Sequence, residues 1–327
     1  MELTPWPWQA SIWQRLTALA DESRLPHALM LTGPSGLGKE RLAQALIARQ
    51  LCHSPGNTAC GQCHSCQMLM SGYHPDLLEI LPADRGKQIR IDAIRDINAF
   101  ASQTAQQGGY RIIHLAPAEA MTVAASNALL KSLEEPGNDT LFILQSDIPS
   151  RTLPTIRSRC QQWSHPQPAR DVSMAWLAHE LEDQEQAGFW WQVAGGRPLL
   201  ARDLAAPEAR QLRQELRELF ESLVRGGDPV AEAARLDKQA LPDILWHGVL
   251  WLEDLIRLGV SGDMGSVRNR DLLPLYRQAL KNARVRDWFR LLDYAHEQRR
   301  LLAGGGNPNA QLVIESWLIR WSALLRS

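Results

Sequence analysis

The run Gly33-Pro34-Ser35-Gly36-Leu37-Gly38-Lys39 constrains this chain more than any other stretch. It follows a compact apolar segment, His27–Thr32 (HALMLT), that reads as a buried strand. It precedes a helical pattern from Lys39 to about Leu51. Glycines at these spacings let backbone N–H groups close on phosphate oxygens, and the lysine reaches the terminal phosphates. Further along, Leu77–Leu81 reads as a strand and Ile89–Phe100 as a helix. Arg111–Leu115 is a third strand, and Leu141–Gln145 a fourth. Thr122 is placed to cap a helix that runs to about Glu135 and stops at Pro136. Strands alternating with helices predict a parallel sheet with crossover helices, hence an α/β domain.

The loop is defective as a catalytic device. The position after Lys39, where a hydroxyl normally holds Mg²⁺, is Glu40. A carboxylate there adds repulsion toward a triphosphate. The third strand runs into Ala116 and Pro117, where an ATPase needs one acid for the metal and one to activate water. Glu119 follows, but two positions past Pro117 it is expected to point elsewhere. Two losses at one nucleotide site predict no hydrolysis and weak or absent ATP binding through Gly33, Gly36, Gly38, Lys39 and Glu40.

Cys52, Cys60, Cys63 and Cys66 form C-x7-C-x2-C-x2-C. Clustered thiols in a chain without a secretory leader read as a metal site rather than disulfides. Four thiolates suit a structural, tetrahedral Zn²⁺ with no open position for catalysis. His53 and His64 are spare candidates that read more plainly as surface residues. Arg49 is the one basic residue close to the knuckle. The fifth cysteine, Cys160, lies in Ser158-Arg159-Cys160 and reads as a small buried apolar residue.

Beyond Cys160 the patterns are helical only. A joint at Ser164–Pro168 and a break at Gly195-Gly196-Arg197-Pro198 divide the 327 residues into 1–166, 167–206 and 207–327. The last part carries two apolar stripes, Trp246/Leu250/Trp251/Leu255 and Trp317–Leu325. Trp6, Trp8 and Trp13 fit helical or turn packing. Arg268–Arg300 is locally basic, with Arg284, Arg286 and Arg290 close together, and reads as a solvated or ion-paired face. The whole chain has net charge −1, which argues against strong phosphate binding by the chain alone. No run is long and apolar enough to span a membrane, and the N-terminus has no basic leader. The cytoplasm is the expected compartment.

Several segments together resemble one family. RLPHALMLTGPSGLGK (Arg24–Lys39), the cysteine insert after the first loop helix, His74-Pro75-Asp76, NALLKSLEEP (Asn127–Pro136) and LPTIRSRC (Leu153–Cys160) resemble bacterial clamp-loader subunits of the AAA+ superfamily, over roughly residues 5–160. The resemblance implies an AAA+ domain with a zinc module at 52–66, a small helical lid and an all-α collar domain. It implies a ring of γ/τ and δ partners that loads a sliding clamp on primed DNA, within the holoenzyme of a DNA-directed DNA polymerase (a nucleotidyltransferase). Arg159 would then be an arginine finger given in trans to a neighbour's ATP. Ser146 falls where such proteins place a phosphate-sensing residue, and Arg197 sits one position off a second sensor, at Pro198. The alternatives are an active ATPase using Glu119 with Glu40, and a zinc-dependent nucleic-acid-binding module.

Overall fold

The computed structural model describes residues 3–83, 87–101, 103–304, 306 and 308–326. The predicted strands form where the apolar runs lie: β1 (Ala28–Thr32), β2 (Leu77–Ile80), β3 (Arg111–Leu115) and β4 (Thr140–Ser146). A further strand, β5 (Gln161–Ser164), departs from the purely helical expectation after Cys160. Its sequence QQWS buries Trp163 alone, because it lies at the sheet edge against β1. An edge strand with one covered residue leaves almost no apolar pattern to read. All pairings are parallel, in the order β2-β3-β4-β1-β5.

The central strands are buried on both faces, which is why they read as unbroken apolar runs. Leu29, Leu31, Ile112, Leu141 and Ile143 face one layer, which holds α1 (Ala10–Asp21) and α2 (Lys39–Leu51). Met30, Ile113, Leu115, Phe142 and Leu144 face the other. Within the cysteine segment lies α3 (His64–Met70), too short for its periodicity to show in the sequence. The second layer is α4 (Ile91–Ala101) and α5 (Val123–Glu134), with Ile94, Ile97, Leu129 and Leu133 buried. Thr122 caps α5 as expected, its Oγ1 accepting from Ala125 N at 3.1 Å. A short helix, α6 (Pro154–Arg157), leads to β5.

The described residues group into two compact units, Met1–His179 with Gly196–Leu200, and Glu180–Gly195 with Ala201–Ser327. The segment 167–206 is divided between them. The second unit is all helical. Its core joins the helices Pro207–Val224, Leu241–Ser261, Leu273–Asn282, Val285–Ala303 and Ala310–Leu325. Both sequence stripes contribute: Leu250, Trp251 and Leu255 on one side, Trp317, Trp321 and Leu325 on the other. Gly248 lets the Trp317 indole lie directly on its backbone, where any Cβ would collide. Asp254, fully buried, accepts from the backbone N–H of Arg268 and Asn269 and from Arg257 at 2.9 Å. The basic stretch is ion-paired in part, Arg290 to Asp287 at 3.0 Å. No helix among the described residues is long and apolar enough to cross a membrane.

Trp288 is wholly buried in this core, whereas the adjacent Phe289 is exposed. Trp288→Ala should lower stability by about 3–5 kcal/mol, and Phe289→Ala by no more than ~0.5 kcal/mol. Urea unfolding of the full chain measures both.

Candidate functional site

The C-terminal ends of β1, β3, β4 and β5 lie along one edge of the sheet, where a ligand crevice usually falls in an open parallel sheet. The chain leaves β1 through the glycine loop and enters α2 at Lys39. Gly36 and Gly38 have φ of 84° and 86°, a left-handed backbone that glycine adopts without strain. Space enforces the same choice. A Cβ on Gly36 would come within 2.7 Å of the Leu200 side chain, and one on Gly38 would strike the Trp6 indole.

The loop is therefore covered by the chain's own side chains. Trp6 and Trp8 stack with centroids 5.2 Å apart, and Trp176 meets both edge-on at 5.1 Å. Trp8 Nε1 donates to Leu37 O at 2.9 Å. The buried Gln9 amide donates to Leu37 O at 3.2 Å and Gly38 O at 2.8 Å. Arg41 lies over the Trp6 ring at 4.0 Å and donates to Thr4 O at 2.7 Å. Leu199 N donates to Gly36 O at 3.2 Å. Of the early tryptophans, Trp13 is core and the other two hold the loop.

Lys39 is 5% exposed. Its ammonium donates to Gly33 O at 2.6 Å and Pro34 O at 3.0 Å and pairs with Asp147 Oδ1 at 2.6 Å. Asp147 stands just past β4, on a turn fastened by Glu119. One Glu119 oxygen accepts from the backbone N–H of Asp147 at 2.9 Å and of Ile148 at 3.0 Å. Glu40 is exposed, and its carboxylate accepts from Gln44 at 3.5 Å. Ser146 is fully buried with no partner for its hydroxyl. Behind the lysine sits His165, directly after β5, its Nε2 3.4 Å from Gln9 Nε2. Burial, and secondarily the Lys39 charge, push its pKa down to about 4, so it is neutral at pH 7.

The four cluster cysteines converge, all Sγ atoms lying within 4.8 Å of one another. Cys52 and Cys63 are 3.9 Å apart, as are Cys60 and Cys66. Tetrahedral thiolate–zinc bonds of about 2.3 Å imply sulfur–sulfur edges of about 3.8 Å, so the donor set fits that ion. Backbone N–H groups of Gln62 and Cys63 point at Cys60 Sγ from 3.5 and 3.3 Å and lower its pKa to about 6. Burial pushes the Cys66 thiol up to about 12. His53 and His64 are exposed and lie outside the cluster. Arg49 is buried and committed to Asp21 at 2.5 Å and Gly56 O at 3.1 Å. His74 ties this module to the sheet. Its Nδ1 accepts from Asp76 N at 3.1 Å, and its Nε2 lies 2.8 Å from Ser65 Oγ. Ser65 in turn donates to Leu51 O.

Arg159 stands apart from the crevice, in the turn between α6 and β5. It is 34% exposed, pairs with Glu134 near the end of α5, and donates to Thr155 O at 3.0 Å. Cys160 beside it is buried, which raises its thiol pKa to about 12. The cysteine cluster, the phosphate loop and Arg159 are thus separate features. Asp147, His165, Gln9 and the Trp6–Trp8–Trp176 group were not readable as site residues. Only a charge directly after a strand end, at Asp147, was a usable signal.

A five-stranded parallel sheet in this order, with a glycine loop between β1 and α2, defines a P-loop domain of the AAA+ kind. The family model described as DNA polymerase III, delta subunit matches residues 8–168, and the model for the C-terminal part of the DNA polymerase III delta subunit matches 207–323. A DNA polymerase III subunit delta′ from Pseudomonas aeruginosa is 36% identical over 328 residues, covering 98% of each chain. The Escherichia coli subunit delta′ is 30% identical, covering 96% of this chain and 94% of its own. A crystal structure of a DNA polymerase III gamma subunit-related protein from Thermotoga maritima covers 95% of this chain at 18% identity and a TM-score of 0.42. The chain belongs to the family of DNA polymerase III delta′ subunits.

His165 gives the first unit an acid-labile element. Its folded pKa of about 4 lies below the ordinary value of 6.5, so the unfolded state takes up the proton first. Stability is unaffected above pH 6.5 and falls as the pH drops toward 4. Between pH 7 and 5 the wild type should lose about 2 kcal/mol more than His165→Gln, measured by urea unfolding at each pH.

Proposed function

We propose that this chain is the non-hydrolysing delta′-type subunit of a DNA polymerase III clamp loader, working in the cytoplasm. It assembles with γ/τ and δ subunits and lends Arg159 to the ATP site of a neighbour. The assembled complex then loads the sliding clamp on primed DNA. The observation that carries this reading is the strand end after β3, where Ala116 and Pro117 stand in place of both acids. The nearby Glu119 spends a carboxylate oxygen on two backbone N–H groups. With Glu40 turned to Gln44, no hydroxyl follows the loop lysine to hold Mg²⁺. A guanidinium is permanently charged and planar and forks onto phosphate oxygens, which suits Arg159 to act on a partner's nucleotide. Its partial exposure leaves it reachable.

In this reading residues 1–166 form the AAA+ domain, 167–206 a lid and 207–327 the collar. Cys52, Cys60, Cys63 and Cys66 hold one structural Zn²⁺. The ion supplies cross-links to a segment with little core of its own, and no chemistry. His74 and Ser65 anchor that segment from behind.

The isolated chain should show no ATP turnover with or without DNA. Turnover that disappears in Lys39→Ala would establish the active-ATPase alternative instead, and tight, salt-sensitive DNA binding would favour the nucleic-acid module. In the reconstituted loader, Arg159→Ala should assemble normally and slow hydrolysis ~10³-fold at the site it serves, with clamp loading reduced. Unchanged ATPase would refute the trans role. Metal analysis of the purified chain should find one zinc, lost in Cys66→Ser.

A further inference from the structure

Lys39 is the one phosphate-binding side chain the loop retains, and its ammonium has three hydrogens. All three have acceptors within hydrogen-bond distance: Gly33 O, Pro34 O and Asp147 Oδ1. The side chain is buried, so its charge needs a partner at close range. Asp147 is 44% exposed, and its carboxylate reaches the buried ammonium at 2.6 Å. Glu119 accepts from the backbone N–H of Asp147 and Ile148, which fixes the turn that carries the carboxylate. The Glu40 carboxylate accepts from Gln44, and His165, which feels the Lys39 charge, is neutral.

We propose that Asp147 is a built-in anion for the phosphate loop, occupying Lys39 in the role a nucleotide phosphate would otherwise fill. The loop is then a latent polyphosphate site closed by the chain's own carboxylate. The Trp6, Gln9 and Leu200 cover holds the loop in shape around it. A triphosphate entering the crevice must displace Asp147 and meet its negative charge, in addition to the repulsion from Glu40. Glu119, which looks in sequence like a displaced catalytic acid, is a positioning residue for this lock. This inference rests on the reading that the chain does not use its own nucleotide site, and gives that reading a cause other than the missing catalytic groups.

Calorimetric titration of the full chain with ATP and with inorganic tripolyphosphate tests it. The wild type should bind neither below millimolar concentration. Asp147→Asn and Asp147→Ser should each bind both at least about ten-fold more tightly, and Lys39→Ala on top of either should abolish the gain. Glu119→Ala, which removes the acceptor of both backbone N–H groups and leaves Lys39 and Asp147 in place, should give a smaller gain in the same direction. Folded Asp147 variants with no gain would overturn the lock, as would a gain that survives loss of Lys39. Micromolar, Lys39-dependent ATP binding by the wild type would instead overturn the reading on which the inference rests.

Discussion

Burial of the central strands on both faces is the constraint on which the first unit depends. Leu29 and Leu31 alternate with Ala28 and Met30, and Leu141 and Ile143 with Phe142 and Leu144, so each strand feeds two cores. A parallel sheet covered on both sides by helices has one place for a polar site, the ends of its strands. That is where the glycine loop, Ser146, Asp147 and His165 all fall. The segments between strands are consequently free to differ, and the cysteine module is inserted in one of them without disturbing the sheet.

The phosphate loop keeps its shape while its lysine is already engaged by the chain's own groups. Loop, lysine and helix keep their places, since β1 and α2 belong to the core and cannot move far. A carboxylate meets the lysine, indoles and a glutamine occupy the loop carbonyls, and the sensor-position serine is buried without a partner.

The second unit reaches stability differently. Among its described residues there is no strand, and its core is built from stacked aromatic and leucine side chains on long helices. Phe220, Trp251, Trp288, Trp317 and Trp321 meet within ring-contact distance. The high tryptophan content of the chain has its largest single use here.

The glycine loop, the four-cysteine spacing, the helix over Lys39–Leu51, the strand over Arg111–Leu115 and the Thr122 cap were legible from sequence, because each follows from local chemistry or from a period of two or 3.6 residues. β5 and α3 were not, since an edge strand and a two-turn helix bury too little to leave a pattern. What the sequence by itself determined is the kind of domain, the grouping of the thiols and the neutral residues Ala116 and Pro117 after the third strand. Only the tertiary structure decided that Asp147 meets Lys39, that Trp6 and Trp8 lie on the loop while Trp317 and Trp321 lie in a core, and that Glu119 serves a backbone turn. The physical reason is distance along the chain. Lys39 and Asp147 are brought together by the pairing of β1 with β4, a contact that no periodicity encodes.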